Sequence, residues 1–332
     1  MLTMATMTTH SDAGPIELEL EAHRRELTGY CYRMLGSGFE AEDAVQEAMV
    51  RAWKGIDGFE GRSSMRSWLY RIATNVCLDM LRGTQRRAVP MDLSTPWSAD
   101  TPLPAPIPET EWVSPIADER VLPPEADPAE LATQRDSIRL AFVAALQHLP
   151  PKQRAVLILR DVLRWQATEV AELLESSVAS VNSALQRAKA TLADNDLAES
   201  GPTHVDDPEH QALLARYVDA FERYDIESLV SLIHEDANFT MPPFPLWLHD
   251  KAEMAKWYVG QGIGCKDSRL LPVFANGCAG FGAYKPAPSG RLEPFALQVI
   301  EVSGNKLVGL HHFLDTGLFA AFGLPPYVEP AA

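Results

Sequence analysis

A chain of 332 residues is long enough for two or three domains with sizeable cores, and its formal net charge of −16 argues against tight binding of free nucleic acid. Its 46% hydrophobic and 22% charged residues are ordinary for a soluble protein; no stretch reaches the ~18 apolar residues of a membrane helix, and Met1–Gly14 lacks the basic start and apolar run of a signal peptide. A cytoplasmic location with no membrane partner is expected. Cys31, Cys77, Cys265 and Cys278 have no C-x-x-C spacing and no surrounding histidines, so they are expected to be reduced core thiols, with no metal and no cofactor.

Residues 1–16 are expected to be disordered. Glu17–Leu35 predicts a first helix, with Leu20, Leu27, Tyr30, Cys31, Met34 and Leu35 covering the two helices that follow. The second opens at Phe39 and Glu40. Its inner stripe is Val45, Ala48, Met49, Ala52 and Trp53, which turns the mainly acidic set Glu42, Asp43, Gln46, Glu47 and Arg51 outward. In the loop from Asp57 to Ser64, Phe59, Arg62, Ser63 and Ser64 supply an aromatic ring and hydrogen-bonding groups suited to holding an unpaired base.

Gly61–Arg87 then predicts a third helix. Met65, Trp68, Leu69, Ile72, Ala73, Val76, Cys77 and Met80 form its apolar stripe. Against them stand Arg62, Arg66, Arg71, Arg82, Arg86 and Arg87, with Asp79 the only acid. The phosphate backbone suits such a face, and a merely solvated face is the alternative. Arg71 and Asn75 are placed to reach bases or phosphates, while Trp68 serves core packing or base stacking at the core's edge. These three helices make a compact domain over 17–90.

The run EAEDAVQEAMVRAW followed by FEGRSSMRSWLYRIATNVCLDMLRGTQRR resembles region 2 of the extracytoplasmic-function class of bacterial sigma-70 factors. That resemblance implies that the acidic helix docks on the clamp helices of core RNA polymerase. It also implies that the loop and basic helix open the −10 element of promoter DNA and hold a flipped-out base.

Residues 91–133 change character. Prolines from Pro90 to Pro128 are expected to forbid regular helix, and nine acids between 88 and 133 face the single base Arg120. A solvated, acidic, Pro-rich linker is expected; by the resemblance, its extended chain follows a basic channel of the polymerase. Trp97 and Trp112 are expected to anchor it to a folded domain or to polymerase.

Helical pattern returns over 134–196. Ile138, Phe142, Leu146 and Leu149 mark one helix, Pro150 and Pro151 end it, and KQRAVLILRDVL follows. ATEVAELLESSVASVNSALQRAKATL then gives two helices joined by a Ser-rich turn, a helix-turn-helix pattern. It resembles region 4 of the same family, which contacts the polymerase flap and reads the −35 element. Ser177, Ser180, Asn182, Ser183, Gln186, Arg187 and Lys189 would then face DNA. Family members often carry Lys or Arg near the positions of Asn182 and Ala184, so a weak −35 contact is expected.

The last part, 204–332, begins with two helices and continues with strands, including AGFGAYK and a hairpin turned at Ser303–Gly304–Asn305. Helices followed by a curved antiparallel sheet make an α+β cone, which resembles a SnoaL-like domain of the NTF2-like superfamily. The predicted fold is therefore multidomain: two all-α modules joined by a linker, then an α+β cone. Met241 falls where the resemblance would place the base of a ketosteroid-isomerase-like enzyme, and a thioether takes no proton. Met241, Trp247, Trp257, Phe281, His311 and Phe313 are candidate pocket residues, with one of His311 and His312 facing in and the other out. His234, Glu235 and Asp236 are expected at a surface helix end, and Gly260, Gly262 and Gly264 lack the strand and helix of a phosphate-binding loop. The function implied is a non-enzymatic sigma factor whose third domain contacts regions 2 and 4 and modulates them; the alternative is a transcription factor carrying a catalytic or ligand-sensing small-molecule domain.

Overall fold

Two helices, α1 (Pro15–Ala22) and α2 (Arg24–Leu35), replace the single helix expected at the front, with His23 between them. The computed structural model describes residues 15–61, 63–123, 127–194 and 207–330; residues 1–14 of the expected disordered N-terminus, and Arg62, lie outside them. Helix α2 ends at Gly36, whose left-handed φ of 73° lets its N–H return to the Tyr32 carbonyl. Ser37 then caps α3 (Gly38–Gly55) by accepting from the Glu40 N–H, and Ser64 caps α4 (Met65–Met80) by accepting from the Ser67 N–H. Val45, Ala48, Met49 and Ala52 are buried as expected, but Trp53 is not: it stands one position further round the helix and is 57% exposed.

The linker departs most from expectation. Pro90 and Pro128 open helices, α5 (Pro90–Leu93) and α6 (Pro128–Asp136), because a proline in the first turn gives up no intrahelical bond. Between these helices the chain is bonded to the third module. The Trp97 N–H donates to the Trp247 carbonyl (2.7 Å), the Ile107 N–H to the Pro243 carbonyl (2.9 Å) and the Ser94 hydroxyl to the Pro245 carbonyl (3.1 Å). Trp112 is 2% exposed. The segment is thus a strap, not a solvated spacer, and both tryptophans anchor it within the chain.

The second helical module comprises α7 (Leu140–Gln147), α8 (Pro151–Leu157), α9 (Ala167–Leu173) and α10 (Val178–Asp194). Val170, Leu173, Val181 and Ala188 are buried, so α9 and α10 meet through the apolar sides that the sequence assigned them.

In the third module α11 (Pro208–Glu222) and α12 (Ile226–Leu232) precede β1 (Ile233–Thr240) and β2 (Trp247–His249). Helix α13 (Lys251–Val259) leads to β3 (Arg269–Ala275), β4 (Cys278–Pro286), β5 (Leu292–Ser303), β6 (Lys306–Phe313) and a short α14 (Leu318–Ala321). One sheet has the order β2-β1-β6-β5-β4-β3. It is mixed rather than antiparallel, because β1 lies parallel to β6 while every other neighbouring pair is antiparallel. The β5–β6 hairpin closes as expected, Ser303 opposite Lys306. His234, Glu235 and Asp236 do not end a helix; they belong to β1, on its exposed stretch.

Two cores divide at this sheet. Phe239, Trp257, Tyr258, Phe281 and Ile300 fill the cone with α11, α12 and α13. Leu297, Val299 and Phe313 point the other way, into one continuous core with residues of α2, α3, α4, the strap and α7 to α10. Because both faces of the sheet are apolar, one buries the cone and the other needs the helical modules to cover it.

Candidate polymerase and promoter interface

On α3 the outward set forms as the sequence predicts. Asp43, Gln46 and Glu47 are exposed, Arg51 Nε donates to Glu47 (2.7 Å), and Glu42 is half-buried with Arg120 of the strap 3.3 Å away. One edge of the acidic face therefore already carries a partner from within the chain.

The basic residues divide into free and occupied. Arg71 and Asn75 are exposed on α4, and Arg82 is 80% exposed beside Asp79. Ser63 and Ser64 are exposed in the preceding loop, where Phe59 lies 5.0 Å from Trp68, ring centre to ring centre, at 37°. Trp68 is only half-buried, so the pair forms an aromatic shelf at the edge of the core. Arg87, by contrast, is 7% exposed: it pairs with Glu40 (2.6 Å) and donates to the Trp112 carbonyl (2.6 Å). It holds the strap and is not open to DNA in this arrangement. Arg86 bonds His148, at the C-terminal end of α7.

Arg66 is occupied in a more telling way. Its guanidinium bonds Glu26 (2.8 Å) and stacks 5.1 Å from the rings of both Tyr70 and Trp165. Trp165 enters α9 and is 5% exposed. A cation predicted to meet DNA thus lies over two rings that touch each other (4.9 Å between centres), one from each helical module.

The face of α10 expected to meet DNA stays open. Ser177, Ser180, Asn182, Ser183, Gln186 and Arg187 are exposed, with Arg187 bonded to Ser183 (2.6 Å). Lys189 is exposed too but pairs with Asp161 (2.9 Å), which lowers its value as a phosphate contact.

Residues that pattern reading missed close the modules on one another. Arg33 of α2 donates to the Ser137 carbonyl (3.0 Å) and hydroxyl (2.6 Å). Arg154 of α8 donates to the Met34 carbonyl, to Gln147 Oε1 (2.6 Å) and to the Leu149 carbonyl (3.2 Å). Burial lowers both guanidiniums to about 10, and only this number of acceptors makes their burial tolerable. Asn276, fully buried at the β3–β4 turn with φ of 56°, reaches further. Its Nδ2 donates to Tyr32 Oη (2.6 Å) and the Ile138 carbonyl (2.6 Å), and its Oδ1 accepts from the Ile116 N–H (3.0 Å). Beside it the Gly277 N–H donates to Asp118 Oδ1 (2.8 Å), a carboxyl that burial pushes up to about 6. An Asn-Gly hairpin signal was visible in the sequence; its insertion between two other modules was not.

The candidate pocket set splits across the sheet. Met241, Trp257 and Phe281 are buried in the filled cone, and Trp247 is half-buried with its indole donating to the Ser94 carbonyl (2.9 Å). His311 and Phe313 instead line a cavity of about 460 Å³ on the opposite face. As expected the two histidines diverge, but both are buried. His312 faces the cone, 4.7 Å from the Phe239 ring centre, and burial lowers its pKa to about 3.

Residues 20–87 match the family model for sigma-70 region 2, and residues 139–192 that for sigma-70 region 4. Fold and matched segments together define a protein of the sigma-70 class with a helix-and-sheet third module. The ECF RNA polymerase sigma factor SigG of Mycobacterium tuberculosis H37Rv is 44% identical over 315 residues, which cover 94% of this chain and 84% of the relative. SigJ of the same strain is 31% identical over 223 residues, 67% of this chain and 63% of SigJ. The crystal structure of M. tuberculosis SigJ shares the fold, with a TM-score of 0.59 at 23% identity over 93% of this chain and 99% of that one. The chain belongs to the ECF RNA polymerase sigma factors. Among the described residues no helix is long and apolar enough to cross a membrane.

Proposed function

We propose that this chain directs core RNA polymerase to promoters and that its third module restrains it. Core polymerase binds the exposed acidic face of α3, chiefly Asp43, Gln46 and Glu47. The Phe59–Trp68 shelf with Ser63, Ser64, Arg71 and Asn75 receives the opened −10 strand, and α10 enters the major groove of the −35 element. Within the third module, a thioether at Met241 and a cone packed solid with aromatic rings favour a structural and regulatory role over catalysis.

The single observation that carries the restraint is Asn276, buried at the β3–β4 turn of the third module and bonded to Tyr32 of the first module and to the Ile138 carbonyl, which holds closed the arrangement in which Arg66 lies over Tyr70 and Trp165. A promoter-facing cation is tied to the second helical module while α10 remains open, so the arrangement blocks −10 engagement more than −35 reading. Promoter-specific transcription with purified core enzyme tests this by comparing the full chain with a form ending near Leu197. The shorter form should be more active; equal activity removes the restraint, and loss of activity makes the module an activator.

A further inference from the structure

The cavity shared by the sheet's outer face, the strap and α7 has no part in that reading. Its volume of about 460 Å³ suits a small organic molecule, and it lies at a junction of modules, where such sites concentrate. Val89, Pro90 and Met91 of the strap form one wall, Leu140 and Ala144 of α7 a second, and strands β1, β5 and β6 the third.

The polar end is built by Glu301, His311 and Thr240. Glu301 and His311 are each 8% exposed. Thr240 Oγ1 sits 2.9 Å from His311 Nδ1 and fixes the ring, while His311 Nε2 stays 3.9 Å from Glu301 Oε2, beyond direct hydrogen-bond reach. Between these two residues' positions on the sheet stands Gly309, where a Cβ would come within 2.8 Å of Glu301 Oε2 and 2.9 Å of His311 Nε2. Glycine keeps the space over the pair open.

Charge selects the occupant. Among the described residues Asp92, Asp236 and Glu301 line the cavity, and no lysine or arginine does. Asp92 is answered by His148 (3.2 Å) and Arg86 (4.0 Å). Asp236 has only His234, 3.9 Å away, among its described ion-pair partners. Burial acts to raise the Glu301 pKa, but His311 and Arg139 outweigh it and leave the carboxyl below its ordinary value, hence ionised at neutral pH.

We propose that this cavity binds a small lipophilic amine, its ammonium group held by the Glu301 carboxylate and its apolar body against Met91, Leu140 and Ala144. The Glu301 carboxylate accepts from the ammonium, and His311, fixed by Thr240, borders the site. Because the ligand touches the strap, the second helical module and the third module together only while they are closed, it binds that arrangement preferentially and biases the chain toward it.

The test is direct binding to the full chain, followed by calorimetry at neutral pH, so it is independent of any transcription assay. The probes are 2-phenylethylamine, its neutral analogue 2-phenylethanol and the anion 3-phenylpropionate. The amine should bind about tenfold more tightly than the alcohol, and the anion not at all. Glu301→Gln should remove the amine's advantage while leaving the alcohol's affinity in place, and Ala141→Trp at the exposed rim should weaken amine and alcohol alike, both variants having wild-type circular dichroism. Equal affinity for amine and alcohol, an unchanged preference in Glu301→Gln, or no binding of any probe would overturn the proposal.

Discussion

Asn276 Nδ2 and Tyr32 Oη, 244 residues apart in sequence, stand 2.6 Å from each other inside the protein. The same phenol donates onward to the Ser114 carbonyl (2.9 Å), so one short chain of hydrogen bonds runs from the third module through the first to the strap. Each group is buried, and each would be left without its partner if the modules parted.

Asn276→Ala should therefore lower stability by about 3 kcal/mol, since it orphans buried groups of Tyr32, Ile116 and Ile138. Asn276→Gly accepts the left-handed φ but lacks the side-chain bonds, so a similar loss in urea denaturation identifies bonding rather than strain as the cause. Both variants should expand in small-angle scattering and transcribe more actively than wild type.

Trp165→Ala removes the ring by which the second helical module holds Arg66. If Arg66 is withheld from promoter DNA by this contact, the variant should melt promoters faster in permanganate footprinting, while Arg66→Ala should melt them more slowly even in the form ending near Leu197. A Trp165→Ala variant as slow as wild type would separate the contact from restraint.

Arg71→Ala or Asn75→Ala should depress open-complex formation by about tenfold with little change in polymerase affinity, consistent with the loss of about 1–2 kcal/mol of DNA contact. Reversing Asp43 and Glu47 to lysine should do the opposite. Both sets acting on one step would refute the division of roles between α3 and α4.

Closure should strengthen on acidification. Asp118 is raised to about 6 by burial, against the Gly277 N–H and Arg135, and Glu109 is raised to about 7 by its hydrogen bond with Asp315 and by burial. For a carboxyl whose folded pKa exceeds its unfolded value, the folded state holds the extra proton. The penalty is then absent at pH values below the unfolded pKa, grows as pH rises toward the folded value and is complete above it. Unfolding midpoints should thus decline as pH rises from about 4 to about 7, and Asp118→Asn should flatten the lower part of that decline.

Periodicity was sufficient for much of the architecture. The stripes of α3, α4, α9 and α10 are local facts, set by side chains three and four residues apart, and so was the hairpin at Ser303–Gly304–Asn305. The failures share a cause: each depends on what a distant segment brings. Arg66 and Arg71 look alike on α4, yet Trp165 covers one and leaves the other open. Proline count predicted an unstructured spacer, because nothing local reveals that Ser94, Trp97 and Ile107 meet backbone groups of the third module.

By itself, then, the sequence determined two amphipathic helical modules, their order, and a helix-and-strand module after them, since local spacing of apolar and charged residues dictates each. Only the tertiary structure decided which cations face outward, that the linker is a strap, and that candidate pocket residues fall on opposite sides of one sheet. Those outcomes rest on contacts between segments well separated in the chain, whose geometry no local pattern encodes.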